Sequence, residues 1–223
     1  MASEVDIANM ALGYLGDPGN VTSLSPPDGS VQAGLCARFL PIARNAMLEL
    51  YPWNFATLRV DLALLSVTPP SSWKYAYAAP SDVINVLGIY DPDASDDVSQ
   101  GLVQPYSVPG TVPPAVGSYT PQPYTIEKLT DGTEVVYTNQ ENAVMRYTTL
   151  VTDTSKFPPL FIEALAWSLA SKLSGPLLKG DTGRKVSQDC LKTFLVWFGQ
   201  ATESDANQRR LLVAQRTPWM ANR

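Results

Sequence analysis

Ser71-Ser72-Trp73-Lys74 has the Ser-x-x-Lys spacing of acyl-transferring serine enzymes, in which the lysine sits one helical turn from the nucleophile. Pro69-Pro70 before it and Tyr75-Ala76-Tyr77 after it predict an extended segment instead, and no companion motif follows. Gly175 and Gly180 have the glycine spacing of a phosphate-binding loop, but Asp181-Thr182 stands where Lys and Ser/Thr are needed. An anionic side chain there repels a nucleotide, so a turn between two helices, capped by Gly180 or Gly183, is the expectation. Asp91, Asp93, Asp96 and Asp97 could gather oxygen ligands for a hard cation or serve as a glycosidase pair. The calcium-loop pattern fails, because Asp96 takes the glycine position and Leu102 the terminal acidic one; a solvated acidic turn is the plainer reading.

The chain contains no histidine, the commonest general base and metal ligand, which counts against hydrolase triads. Cys36 and Cys190 are distant in sequence and read as buried thiols of a reducing compartment. Asn20-Val21-Thr22 matches a glycosylation acceptor, but the amino terminus carries no signal-like basic flank. No apolar run approaches the roughly 20 residues of a membrane span. Sequence alone therefore predicts a soluble, unexported protein with no catalytic residue, cofactor or metal.

The 16 basic and 21 acidic side chains are unevenly distributed. Residues 207–223 hold Arg209, Arg210, Arg216 and Arg223 and no acidic side chain, which leaves a body of 12 basic and 21 acidic groups at a net of −9. Leu211, Leu212, Pro218 and Trp219 give this tail apolar anchors, so it reads as an arm that folds on a partner.

The elements around these motifs begin with a helix capped by Ser3, carrying Ile7, Met10, Ala11, Tyr14 and Leu15 and stopping at Gly16. A second helix runs from about Ser30 to Leu50, with Val31, Leu35, Phe39, Ile42, Ala46 and Leu50 as one stripe and a kink expected at Pro41. It is closed by Tyr51-Pro52-Trp53-Asn54-Phe55, a turn whose large aromatics need burial. Residues 58–65 fit a short helix or an extended segment. Strands are expected at 83–90, 124–129, 135–137 and 144–148, with Thr130-Asp131-Gly132 as a hairpin turn. The Pro-rich loop 91–123 is long enough to be a functional arm. A nearly all-round apolar helix spans about 158–174, and a last one 182–202 with Val186, Cys190, Phe194, Trp197 and Ala201 on one stripe and Leu191, Leu195 and Phe198 beside it.

The fold class is therefore α+β, a bundle of about four main helices with an inserted small antiparallel β domain and an extended C-terminal arm. The expected divisions are a helical part at 1–80, a β-rich insertion at 81–150, a second helical part at 151–206 and the arm at 207–223.

Leu12-Gly13-Tyr14-Leu15-Gly16, Arg44-Asn45-Ala46-Met47-Leu48, Tyr51 to Ala56, Trp73 to Asp82, Arg146-Tyr147 and Phe157 to Ala166 occur in that order. In this order they resemble the head-to-tail adaptor proteins of short-tailed phages, the group of tail tubular protein A and tail accessory factor types. The resemblance implies a virion protein in a dodecameric ring between portal and tail nozzle, assembled in the host cytoplasm with tail fibres as a further partner, through which DNA passes without specific binding. It also implies that Arg209, Arg210, Leu211, Leu212, Arg216 and Trp219 reach the portal, and that Tyr51, Pro52, Trp53, Asn54 and Phe55 mark the scaffold. A negative body suits a channel along which phosphates must slide. The competing expectation is a virion-associated polysaccharide-degrading enzyme using the Asp91 to Asp97 carboxylates.

Overall fold

The computed structural model describes residues 2–92 and 121–208. Four α-helices are described, α1 (Glu4–Tyr14), α2 (Val31–Leu50), α3 (Pro159–Leu178) and α4 (Gly180–Ala206). Six strands accompany them: β1 (Thr57–Asp61), β2 (Tyr75–Ala78), β3 (Val83–Tyr90), β4 (Tyr124–Lys128), β5 (Glu134–Thr138) and β6 (Val144–Thr149). The class is α+β, with two small antiparallel sheets.

Two compact units divide the described chain, a helical one built from residues up to Thr57 and again from Thr148, and a β unit from Leu58 to Tyr147. The first division thus falls well before residue 80. The reason is that this stretch contributes two strands: β1 joins β6 in a sheet of order β1-β6-β3, and β2 joins β5 in a sheet of order β2-β5-β4. The second sheet is antiparallel, with Tyr75 opposite Thr138 on one side of β5 and Ile126 opposite Val136 on the other. Successive side chains of a strand point to opposite faces, and β5 is covered on both. Val136 joins Leu62, Tyr77, Ile89, Met145 and Tyr147, while Val135 and Tyr137 pack with Ala76. Gly132, at φ 88°, closes the β4–β5 hairpin, and the Asp131 carboxylate accepts from Thr133 N at 2.9 Å.

In the helical unit, α1, α2 and α4 each pack against α3. The α1 start is a capping box: Ser3 Oγ accepts from Asp6 N, and Asp6 Oδ2 accepts from Ser3 N at 2.8 Å. Its end is a Schellman turn, with Gly16 at φ 79°, Gly16 N donating to Gly13 O and Asp17 N to Leu12 O. The helix α3 buries Phe161, Ala164, Leu165, Leu169 and Leu173 together with Ser168 and Ser174, as its nearly unbroken apolar surface requires.

Helix α2 differs from expectation in the face it buries. Pro41 lies inside α2, which continues through it to Leu50. The stripe Val31, Leu35, Phe39, Ile42, Ala46 and Leu50 exists, but it is not the face that α2 buries. The buried side is Ala33, Cys36, Leu40, Ala43, Arg44, Met47 and Leu48. The Arg44 guanidinium lies 3.5 Å from the Glu4 carboxylate.

Candidate functional site

The Tyr51 to Phe55 segment is the hub of the helical unit. After Leu50 the backbone turns extended at Tyr51, and Asn54–Ala56 form one 3-10 turn. Trp53 is 1% exposed, and its Nε1 donates to Met47 O at 2.8 Å, which satisfies the one polar atom of a buried indole. Its ring meets Phe161 of α3 edge-on at 5.0 Å and Phe198 of α4 at 5.8 Å, while Tyr51 sits 4.9 Å away on the same chain segment. Phe55 continues the cluster to Phe161 at 5.0 Å and Phe157 at 5.8 Å. One tryptophan therefore ties the end of α2, the start of α3 and the last turns of α4.

Asp205, only 3% exposed, closes the hub from α4. Asn54 N donates to both of its carboxylate oxygens, at 3.2 and 3.1 Å, and Asn54 Nδ2 donates to Asp205 O at 2.7 Å. A carboxylate in the last turn of a helix opposes that helix's dipole. Here it faces the N-terminus of the Asn54–Ala56 turn, where a negative charge is favoured. That misplacement is the sequence signal that could have singled out Asp205, which motif reading passed over. Beside the hub is a cavity of about 130 Å³ lined by Trp53, Pro158, Phe161, Ala201 and Asp205, with Gln208 at the end of the described chain also on its wall. It has room for one side chain.

A second hydrogen-bonded cluster pins α1 to α3. The Tyr14 ring stacks on Trp167 with centroids 4.0 Å apart, and its hydroxyl donates to Glu163 Oε1 at 2.6 Å. Burial, and then the hydrogen bond to the Glu163 carboxylate and its charge, push the Tyr14 phenol well above its ordinary value.

The chemistry-bearing motifs fare differently. Ser71 and Ser72 lie in a turn closed by Trp73 N donating to Pro70 O, so Ser71 and Lys74 do not share a helical face. Gly175 lies inside α3, and Lys179 and Gly180, at φ 54° and 56°, make the reversal into α4. Gly183 approaches α3 so closely that a Cβ would lie 3.0 Å from Ser174 O. The six-residue glycine spacing is thus the signature of a helical hairpin. Cys36 and Cys190 are buried and free, and burial pushes the Cys36 thiol up to about 11.

Of the acidic run, Asp91 is described, while Asp93, Asp96 and Asp97 lie outside the described residues. Asp91 Oδ2 accepts from Gln140 Nε2 at 3.0 Å, and with Asp61, Arg59 and Tyr90 it lines a polar pocket of about 400 Å³ in the β unit. The Arg59 guanidinium sits 5.6 Å from the Tyr90 ring centroid. Among the described residues no group of three or more His, Cys, Asp or Glu is placed to hold a metal ion, and no helix is long and apolar enough to cross a membrane. Arg209, Arg210, Leu211, Leu212, Arg216 and Trp219, expected to bind a portal, lie outside the described residues.

The chain matches no model of a known protein family and no curated protein.

Proposed function

We propose that this chain is the subunit of a head-to-tail adaptor ring: a non-enzymatic virion protein that joins a portal to a tail nozzle and lines part of the DNA ejection channel. The observation that carries the reading is the convergence at Trp53. The segments that carry the resemblance, Tyr51 to Ala56 and Phe157 to Ala166, lie on opposite sides of the β unit in sequence, yet they meet as one aromatic cluster. A hub that fixes three helix ends suits a rigid ring body. Its polar groups are engaged in holding backbone rather than poised toward a substrate.

In this reading the copies form a dodecamer at the head-tail junction, and the β unit is free to meet nozzle or fibres. Arg209, Arg210 and Arg216 pair with portal carboxylates while Trp219 fills a pocket there. The excess of acidic groups in residues 1–206 keeps the passing DNA from sticking. The test is to mix the chain with its cognate portal and determine mass and symmetry. A cyclic assembly is expected, and a mixture without cyclic stoichiometry overturns the reading. Truncation after Asn207 should abolish portal attachment with the fold unchanged; unimpaired attachment removes the arm's role.

A further inference from the structure

Four of the residues around the hub cavity belong to α4 and its end: Ala201, Ser204, Asp205 and Gln208. Their spacing places them on one side of the helix, and Trp53 and Phe161 supply the apolar wall. The described chain stops at Gln208 while still winding. Asn207 has helical backbone angles, Asn207 N donates to Glu203 O, and Gln208 N donates to Asp205 O at 3.1 Å. Leu211 and Leu212 come three and four residues after Gln208. A further turn of helix brings both to the cavity's side, with Leu212 one turn on from Gln208 and two from Asp205. A helical side chain leans back toward the N-terminus and covers the turn before its own Cα. Leu212, about 6 Å beyond Gln208 along the axis, therefore reaches back over the cavity.

We propose that this cavity is the seat of Leu212 of the same chain, with Leu211 at its rim, so that the C-terminal arm is rooted on the helical unit. Size selects the occupant. A cavity of about 130 Å³ is a little smaller than the roughly 150 Å³ apolar cavity that holds benzene. A leucine side chain is smaller than benzene and fits, whereas the Trp219 indole is larger and does not. Charge selects in the same direction. Arg210 falls on the opposite side of the helix from Leu212, and the Asp205 carboxylate on the wall already accepts from Asn54 N. A tether this short holds the leucine at an effective concentration on the order of millimolar, which favours it over a free partner. Leu211 and Leu212 are thereby withdrawn from the portal contact that the resemblance implies, and Arg216 and Trp219 are left to a partner. The occupant is a segment of the chain itself, so the inference stands or falls apart from the ring reading.

The test compares thermal melts of the full-length chain with those of chains ending at Val213 and at Gln208. Ending at Val213 should leave the melting temperature unchanged, and ending at Gln208 should lower it by about 3–8 °C. Leu212→Ala in the full-length chain should reproduce most of that loss with near-UV circular dichroism retained, whereas Arg210→Ser, on the opposite side of the helix, should not. Benzene probes the space itself. It should raise the melting temperature of the Leu212→Ala chain and of the chain ending at Gln208, and leave the full-length wild type unmoved. The proposal is overturned if Leu212→Ala melts as the wild type does, or if benzene stabilises the wild type as much as the variant, since the cavity is then open in both. It is also overturned if the Leu212→Ala loss grows with protein concentration while the wild type sediments as a dimer, which would make the occupant the arm of a neighbouring copy. Loss of portal attachment with these melts as expected sinks the ring reading and spares this contact.

Discussion

The helical unit has two kinds of apolar surface, and the chain completes one of them. At the hub, Trp53, Phe157 and Phe161 are buried and Phe55 is half-buried against them, the indole N–H is paired, and the backbone turn beside them is held by a buried carboxylate. On the outer faces of α2 and α4, Ile42, Leu191 and Leu195 are of similar hydrophobic character but face solvent. Side-chain type does not separate the two. What separates them is whether polar groups have been placed to finish the burial, because an apolar surface is sealed from within only when the nearby N–H and C=O groups also find partners. The hub has such partners in Met47 O and the Asp205 carboxylate.

The comparison breaks most severely at Trp53. Trp53→Ala removes contacts to three helix ends at once and leaves a cavity in a packed aromatic cluster, so a loss of about 3–5 kcal/mol is expected. Chemical denaturation should show it as a lower midpoint, and assembly should fail with folding. A variant that melts like the wild type and assembles fully would mean that the hub is not the keystone of the unit.

A smaller effect probes the polar half of the hub. Asp205→Ala strips the Asn54 N–H of both acceptor oxygens and should cost about 1–3 kcal/mol. Asp205→Asn retains an acceptor oxygen and should recover part of the loss. If the two variants are equally stable by thermal melting, the carboxylate is not what holds the Asn54–Ala56 turn.

Much of the fold could be read from residue order. Ser3, Gly16 and Ser30 mark helix ends because capping is local chemistry, and Thr130-Asp131-Gly132 marks a hairpin for the same reason. Strand β3 follows its β-branched run residue for residue. The inward face of α2 was not legible, since Ala33, Cys36, Leu40, Ala43 and Met47 on one side and Val31, Leu35, Phe39, Ile42 and Ala46 on the other are both apolar. Periodicity identifies a helix, but it cannot choose between two apolar faces. Side-chain size does not choose either, since the buried side holds Leu40, Met47 and Leu48 as well as small residues. Residues 58–65 were ambiguous because a short apolar run fits either state until β6 supplies a pairing partner. Asp205 was invisible to motif reading, since its partner Asn54 is remote in sequence.

The smallest expected effect sharpens the comparison most. Ile42→Ser changes a residue of the same class as the core aliphatics, yet it should shift the stability of the isolated subunit by no more than about 0.5 kcal/mol, because the side chain is already half in water and loses little packing. Its neighbour on the inner face provides the internal control. Leu40→Ser, two residues away on a 3% exposed site, should cost several times more, since it both empties core volume and buries a hydroxyl. Measured as paired denaturation curves, the two substitutions separate the α2 surface that folds the chain from the surface that folding leaves open. If Ile42→Ser proved as costly as Leu40→Ser, the outer stripe would belong to the subunit's own core, and the distinction drawn between the two faces of α2 would be lost.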